Sequence, residues 1–139
     1  MRNNSYFQIM KLSVLVVLLL SFVSTVKAQT FVCTDVSFYD TNMTDREIKK
    51  IKTDALGSTW FLEFYDNSLK VTISIKGDES PQLIFDKIND SKYQMQDNRR
   101  GRHIQNVIEL QKWIAYIKSF TIYSYENGKL QQKMTCKRK

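Results

Sequence analysis

The stretch "TWFLEFYDNSLKVTISI", Thr59–Ile75, decides the fold. Apolar and polar residues alternate on both sides of Asn67-Ser68, which is the period of a half-buried strand and not that of a helix. Folded back at Asn67-Ser68, the stretch pairs Phe64 with Val71, Leu62 with Ile73 and Trp60 with Ile75. All six side chains then share one face, as a core requires. The other face carries Tyr65 with Lys70, Glu63 with Thr72 and Phe61 with Ser74. Phe61 and Tyr65 need cover there. The expectation is that a helix packs over them; the alternative is an exposed, ligand-facing aromatic patch.

The helix is supplied just upstream by "TDREIKKIKTDALG". Thr44 and Glu47 have the spacing of a capping box. Asp45 and Glu47 open the first turn and lysines follow, as the helix dipole favours. Ile48, Ile51 and Ala55 fall on one face and Gly57 can end the run. The spacing predicts a short helix over 45–56.

Further strands surround these elements. "FVCTDVSFY", Phe31–Tyr39, is β-branched and aromatic. "QLIFDKINDSKYQMQD" reads as a hairpin turning at Asn89-Asp90-Ser91, followed by a basic loop, "DNRRGRH". "SFTIYSYENGKLQQKMTC" holds Asn127-Gly128, the strongest hairpin signal in the chain, because both residues tolerate positive φ. It pairs Glu126 with Lys129, Tyr125 with Leu130, Tyr123 with Gln132, Thr121 with Met134 and Ser119 with Cys136. Residues 107–118 are ambiguous between helix and strand. Leu110, Trp113, Ile114 and Ile117 match a helical face, so a strand from His103 is predicted to give way to a helical turn over 111–118. The sum is an α+β domain, mainly antiparallel β. It is a curved sheet, small barrel or sandwich of about 7 strands with one or two short helices.

The N-terminal region is of another kind. Arg2 and Lys11 precede the uncharged run "LSVLVVLLLSFV", Leu12–Val23, and Val26 and Ala28 have the spacing of a signal-peptidase site. These are the parts of a cleaved secretory signal over residues 1–28. A spanning helix needs ~20 apolar residues, so the mature chain, 29–139, is read as one domain with no membrane span. The expected location is periplasmic or extracellular. Of the 21 basic residues the leader holds three, Arg2, Lys11 and Lys27, and it holds none of the 14 acids. The remainder stays mildly basic, which favours anionic surfaces without arguing specific nucleic-acid recognition.

Cys33 and Cys136 lie near opposite ends of this domain. In an oxidising compartment two cysteines most simply pair, so a disulfide joining the first and last strands is expected. One histidine and no Cys-x-x-Cys argue against a metal site, and no cofactor motif occurs. His103 is the sole histidine, preceded by Arg99, Arg100 and Arg102 and followed by Glu109. Such a set suits phosphodiester or glycan hydrolysis only if the groups converge. His103 and Glu109 are six residues apart on one strand, ~20 Å when extended. The Arg99–Arg102 loop with His103, and the tail Lys137, Arg138 and Lys139, are candidate anion-binding elements if the fold joins them. Asn42 and Asn89 stand in N-glycosylation triplets, "NMT" and "NDS".

The resulting expectation is an exported, non-enzymatic binding or interaction protein, with an anionic surface, a glycan, a protein or a small ligand as partner, or an enzyme inhibitor. The alternatives are a small secreted hydrolase using His103 and the Arg99–Arg102 loop, and a lipocalin-like carrier. In the carrier, Trp60, Leu62, Phe64, Val71 and Ile73 line a cavity for an apolar ligand.

Overall fold

A computed structural model describes residues 28–39 and 42–139. Of the expected leader, residues 1–28, all but Ala28 lie outside the described residues, and Ala28 begins the first strand. The strands are β1 (Ala28–Phe38), β2 (Thr59–Phe64), β3 (Ser68–Ile75), β4 (Asp78–Glu79), β5 (Leu83–Asn89), β6 (Lys92–Arg99), β7 (Arg102–Trp113), β8 (Tyr116–Glu126) and β9 (Lys129–Arg138). One helix, α1 (Asp45–Ala55), joins β1 to β2. Every pairing is antiparallel. Eight strands follow one another round a ring, β9 pairs with β1 and β2 with β3, and only the two-residue β4 stands outside it. The chain is an up-and-down barrel, an architecture that leaves no long edge unpaired.

Eight strands enclose a space just wide enough for side chains to fill. Phe31, Leu62, Leu69, Val71, Phe85, Ile108 and Phe120 are fully buried in it, with Trp60 and Tyr93 nearly so. Phe120 presents its ring in edge contact to Phe31 at 5.1 Å and to Trp60 at 5.6 Å. Among the residues expected to line a carrier's cavity, Trp60, Leu62 and Val71 belong to this core, and Phe64 and Ile73 pack against it.

The register of β2 and β3 differs from expectation by two residues: Phe64 pairs with Leu69, Leu62 with Val71 and Trp60 with Ile73. The loop turns one residue earlier, with the Tyr65 N–H donating to the Ser68 carbonyl at 2.9 Å. A shift of two preserves the face, so Leu69 takes the core place expected of Ile75, which is exposed. The Asn127-Gly128 hairpin starts in the expected register, then slips at a bulge between Ser124 and Tyr125. Cys136 therefore faces Phe120, not Ser119.

The helix forms as read. Thr44 caps it, and the capping box with Glu47 closes in both directions. Hydrogen bonds from the Thr44 backbone N–H and hydroxyl hold the Glu47 carboxyl below its ordinary range. Its position corrects the expectation that it covers Phe61 and Tyr65. Ile51 and Ala55 instead face Trp60, Ile73 and Met134, residues of the inner face at one mouth of the barrel. The loop to β2 is too short to carry the helix round to the outer face. Residues Gln111–Lys118 are the other correction. They form no helical turn: Trp113 pairs with Tyr116 across a two-residue hairpin loop.

Candidate functional site

The barrel has two ends with different chemistry. At the helix end lie α1, the β6–β7 turn at Arg100-Gly101 and the β8–β9 turn at Asn127-Gly128. At the other, the tip end, lie the β7–β8 turn, the start of β1 and the C-terminus. Lys139 N–H there donates to the Thr30 carbonyl at 3.1 Å. The two basic elements are thus separated by the length of the barrel. They do not form one anion-binding face.

The arginine turn is partly neutralised. Arg99 is paired with Asp97, and Arg102 with Glu126 at 3.5 Å. Arg100 takes φ +50 beside Gly101, with Arg99 opposite Arg102. Arg99, Arg100, Arg102 and Ile104 line an open concavity of about 490 Å³. His103 Nδ1 lies 2.8 Å from Asn98 Oδ1, and the His103 backbone is bonded to Asn127 in both directions. Those contacts stitch two turns together. Glu109 is engaged by Lys92 at 3.2 Å, further along β7. His103 therefore has no carboxylate partner among these bonds, and the set does not converge. No cluster of three or more metal-ligating side chains occurs among the described residues.

The two cysteines are placed as the sequence suggests but are not bonded. Cys33 and Cys136 are direct partners across β1 and β9, both buried and both free thiols. The Cys33 N–H donates to the Ser58 carbonyl and its carbonyl accepts from Gly57, so neither group joins the β9 ladder. The pair is of the closely spaced, non-hydrogen-bonded kind. A bulge follows at once, between Cys33 and Asp35, and the Cys33 Sγ is directed to the Asp35 carbonyl at 3.7 Å. That redirection leaves the sulfurs outside bonding distance, and the expected disulfide is absent. A hydrogen bond from Cys136 lowers the Cys33 thiol, and the same bond with burial pushes Cys136 far up.

Phe61 and Tyr65, the other sequence candidates, stand half-buried on the outer face. The Tyr65 hydroxyl donates to Glu63 at 3.0 Å, and Lys70 lies 4.9 Å from its ring centroid. Local polar neighbours therefore cover Tyr65. Asn42 and Asn89 are both exposed.

The feature missed by sequence reasoning is the β7–β8 tip. Trp113 is 58% exposed, Ile114 96% and Tyr116 43%. Ile114 also takes φ +49. The three other positive-φ non-glycine residues, Lys76, Arg100 and Asn127, each precede a glycine, whereas Ile114 precedes Ala115. Left-handed backbone costs an L-residue roughly 1–2 kcal/mol, and a β-branched side chain is a true outlier there. Ile114→Gly is therefore expected to stabilise the fold, by about 1 kcal/mol, despite deleting a large side chain. Urea unfolding of the two chains checks the sign.

Lys112, Lys118, Lys137, Arg138 and Lys139 surround this tip. Arg138 stacks 5.5 Å from the Tyr116 ring centroid, and Lys112 donates to the Asp90 carbonyl. The Asp90 carboxylate is held below its ordinary range by Lys87, with Lys112 adding to it. A groove of about 420 Å³ runs beside the hairpin, lined by Tyr116, Lys118, Ser119, Thr135, Lys137 and Arg138, with Gln111 at its edge. At the helix end a smaller, mostly apolar cleft of about 220 Å³ lies between Ile51, Ala55 and Trp60, Ile73, Ile75, Met134. No family model, curated protein or solved structure matches the chain.

Proposed function

We propose that the chain is an exported binding module with no catalytic activity of its own, and that it engages its partner through the tip end of the barrel. The observation that carries this reading is the β7–β8 hairpin. It displays Trp113, Ile114 and Tyr116 together on a strained turn, in a domain that buries its other tryptophan. Strained backbone and clustered exposed aromatics mark surfaces kept for contact and not for folding. The scattered placement of His103, Glu109 and the arginines supports the absence of catalysis.

The test is site-specific crosslinking in the chain's own host. A photoreactive residue at position 113 is expected to capture a partner molecule, protein or lipid, while the same residue at position 100 captures none. Equal capture at both positions overturns the reading. So does substrate turnover by the purified chain that His103→Ala abolishes.

A second reading, an apolar-ligand carrier, is favoured by the cleft between α1 and the barrel mouth. Its volume falls below the ~300–1,000 Å³ usual for ligand sites, so only a slender ligand suits it. Native mass spectrometry of host-derived protein that shows no bound ligand counts against it.

A further inference from the structure

We infer that the partner at the tip end is an anionic lipid bilayer. Trp113, Ile114 and Tyr116 enter the headgroup layer, while Lys112, Lys118, Lys137, Arg138 and Lys139 face the lipid phosphates. This rests on the reading of the tip as the contact surface and names its partner.

Two observations select a bilayer over other occupants. The first is the residue types and their shape. Trp and Tyr are the side chains that settle at membrane–water interfaces, their apolar bodies inward and polar atoms outward. Ile114, at 96% exposure, is the outermost apolar group, and no pocket on a rigid partner is needed to receive a lone protruding turn. The second is charge. Among the described residues none of the five cations forms an ion pair with a carboxylate within 4 Å, unlike Lys76, Lys87, Lys92, Arg99 and Arg102, and only Lys112 is held by a hydrogen bond, to the Asp90 carbonyl. They flank the apolar tip at the level where phosphates would stand if it were inserted. The groove between Lys118, Lys137 and Arg138 also carries the Thr135 hydroxyl, which suits a phosphate headgroup, while the Ser119 hydroxyl there is donated to Gln111 at 2.9 Å.

The combination of a short apolar insertion with a basic collar makes binding depend on lipid charge. Each Lys or Arg near an anionic surface adds roughly a fivefold gain in partition. The collar as a whole outweighs the three apolar side chains.

The experiment uses the full chain with vesicles of phosphatidylcholine alone or with about a third phosphatidylglycerol. Because Leu12–Val23 is itself apolar, sedimentation does not isolate the tip, and the readout is tryptophan emission. Trp60 is 3% exposed, so its emission is already that of a buried indole; Trp113 reports insertion. A blue shift with the anionic vesicles only is expected. It should disappear in Trp113→Phe, and the lipid concentration needed to reach it should rise at least about tenfold in Lys118→Gln/Lys137→Gln. An Ile114→Ser chain, with the turn still exposed but less apolar, should require more lipid as well. No shift with anionic vesicles overturns the inference, as does a shift that is equal with neutral vesicles or unaffected by the lysine changes. If vesicles give no shift while crosslinking at position 113 captures a protein, the partner is a protein. The bilayer is then wrong, and the tip as contact surface stands. If neither occurs, both fail.

Discussion

Phe120→Ala is expected to remove about 3–5 kcal/mol of folding stability, the usual cost of truncating a buried phenylalanine. A domain of this size has only ~5–15 kcal/mol in total, so the variant should be close to unfolding. The size follows from position. Phe120 is fully buried at the middle of β8, faces Leu110 on β7 and Cys136 on β9, and meets Phe31 and Trp60 edge-on. Four strands, the first and the last among them, converge on one ring. Each edge contact contributes a further ~0.5–1.5 kcal/mol beyond burial. Urea unfolding followed by Trp60 fluorescence measures it. Phe120→Leu, which keeps most of the volume, should lose much less. A cost under about 1 kcal/mol for the alanine variant would mean that the interior is not packed as described.

The second large effect is expected at Ser58, a small polar residue that lies buried between the helix and the core. Its hydroxyl donates to the Ala55 carbonyl at 2.6 Å and accepts from the Trp60 indole N–H at 3.0 Å. Ser58→Ala leaves a buried indole donor unpaired and should cost about 1–3 kcal/mol. It also frees the last turn of α1, which has no buried residue of its own. The cause is separable from lost packing by a double-mutant cycle. In a Trp60→Phe chain there is no indole N–H to strand, so Ser58→Ala should then cost clearly less. Equal costs in the two backgrounds would remove the hydrogen bond as the reason. Hydrogen exchange of Ile48–Ala55 should rise in the single variant, because the helix is held to the barrel by few contacts, among them Lys76 with Asp54 at 3.1 Å.

The strands were legible because alternation is a local property. Each apolar face is written in the order of its own residues. The register of β2 against β3 was not legible to the residue, since it depends on where the loop turns, and Tyr65-Asp66-Asn67-Ser68 offers no glycine to fix it. The core nevertheless came out nearly complete, because a slip of two exchanges Leu69 for Ile75 and flips no face. The bulges at Asp35 and at Tyr125 carry no residue signature, and they set where Cys33 and Cys136 point. The neighbourhood of the two thiols could therefore be inferred, and their bonding could not. The helix was read correctly from its capping box, and its docking was not, because its apolar stripe fits any apolar surface within reach.

The instructive error is residues 111–118. Leu110, Trp113, Ile114 and Ile117 have helical spacing, and a periodicity argument assumes that apolar residues seek the interior. Here Leu110 and Ile117 do, while Trp113 and Ile114 do not. Two core residues and two surface residues together imitated one buried face. A surface of exposed apolar residues is invisible to a rule that treats apolar as buried, and so the hairpin tip reads as a helix face. The arginine turn has the composition of a site, and one of its partners, Asp97, stands two residues before Arg99; the other, Glu126, lies 24 residues beyond Arg102 and meets it only through the pairing of β7 with β8.

Closure of the barrel has a consequence in time. The ring is completed by β9 against β1, the last strand made against the first. Until Lys129–Arg138 is present, β1 and β8 each hold an unsatisfied edge, and Phe120 lacks the wall that Cys136 and Met134 provide. Such long-range pairing forms slowly, after the loop entropy of the whole chain has been overcome. A growing chain therefore cannot close the barrel before Lys129–Arg138 has been made. For the export proposed above this delay is an advantage, because a chain whose barrel is still open stays threadable through a narrow channel until β9 arrives.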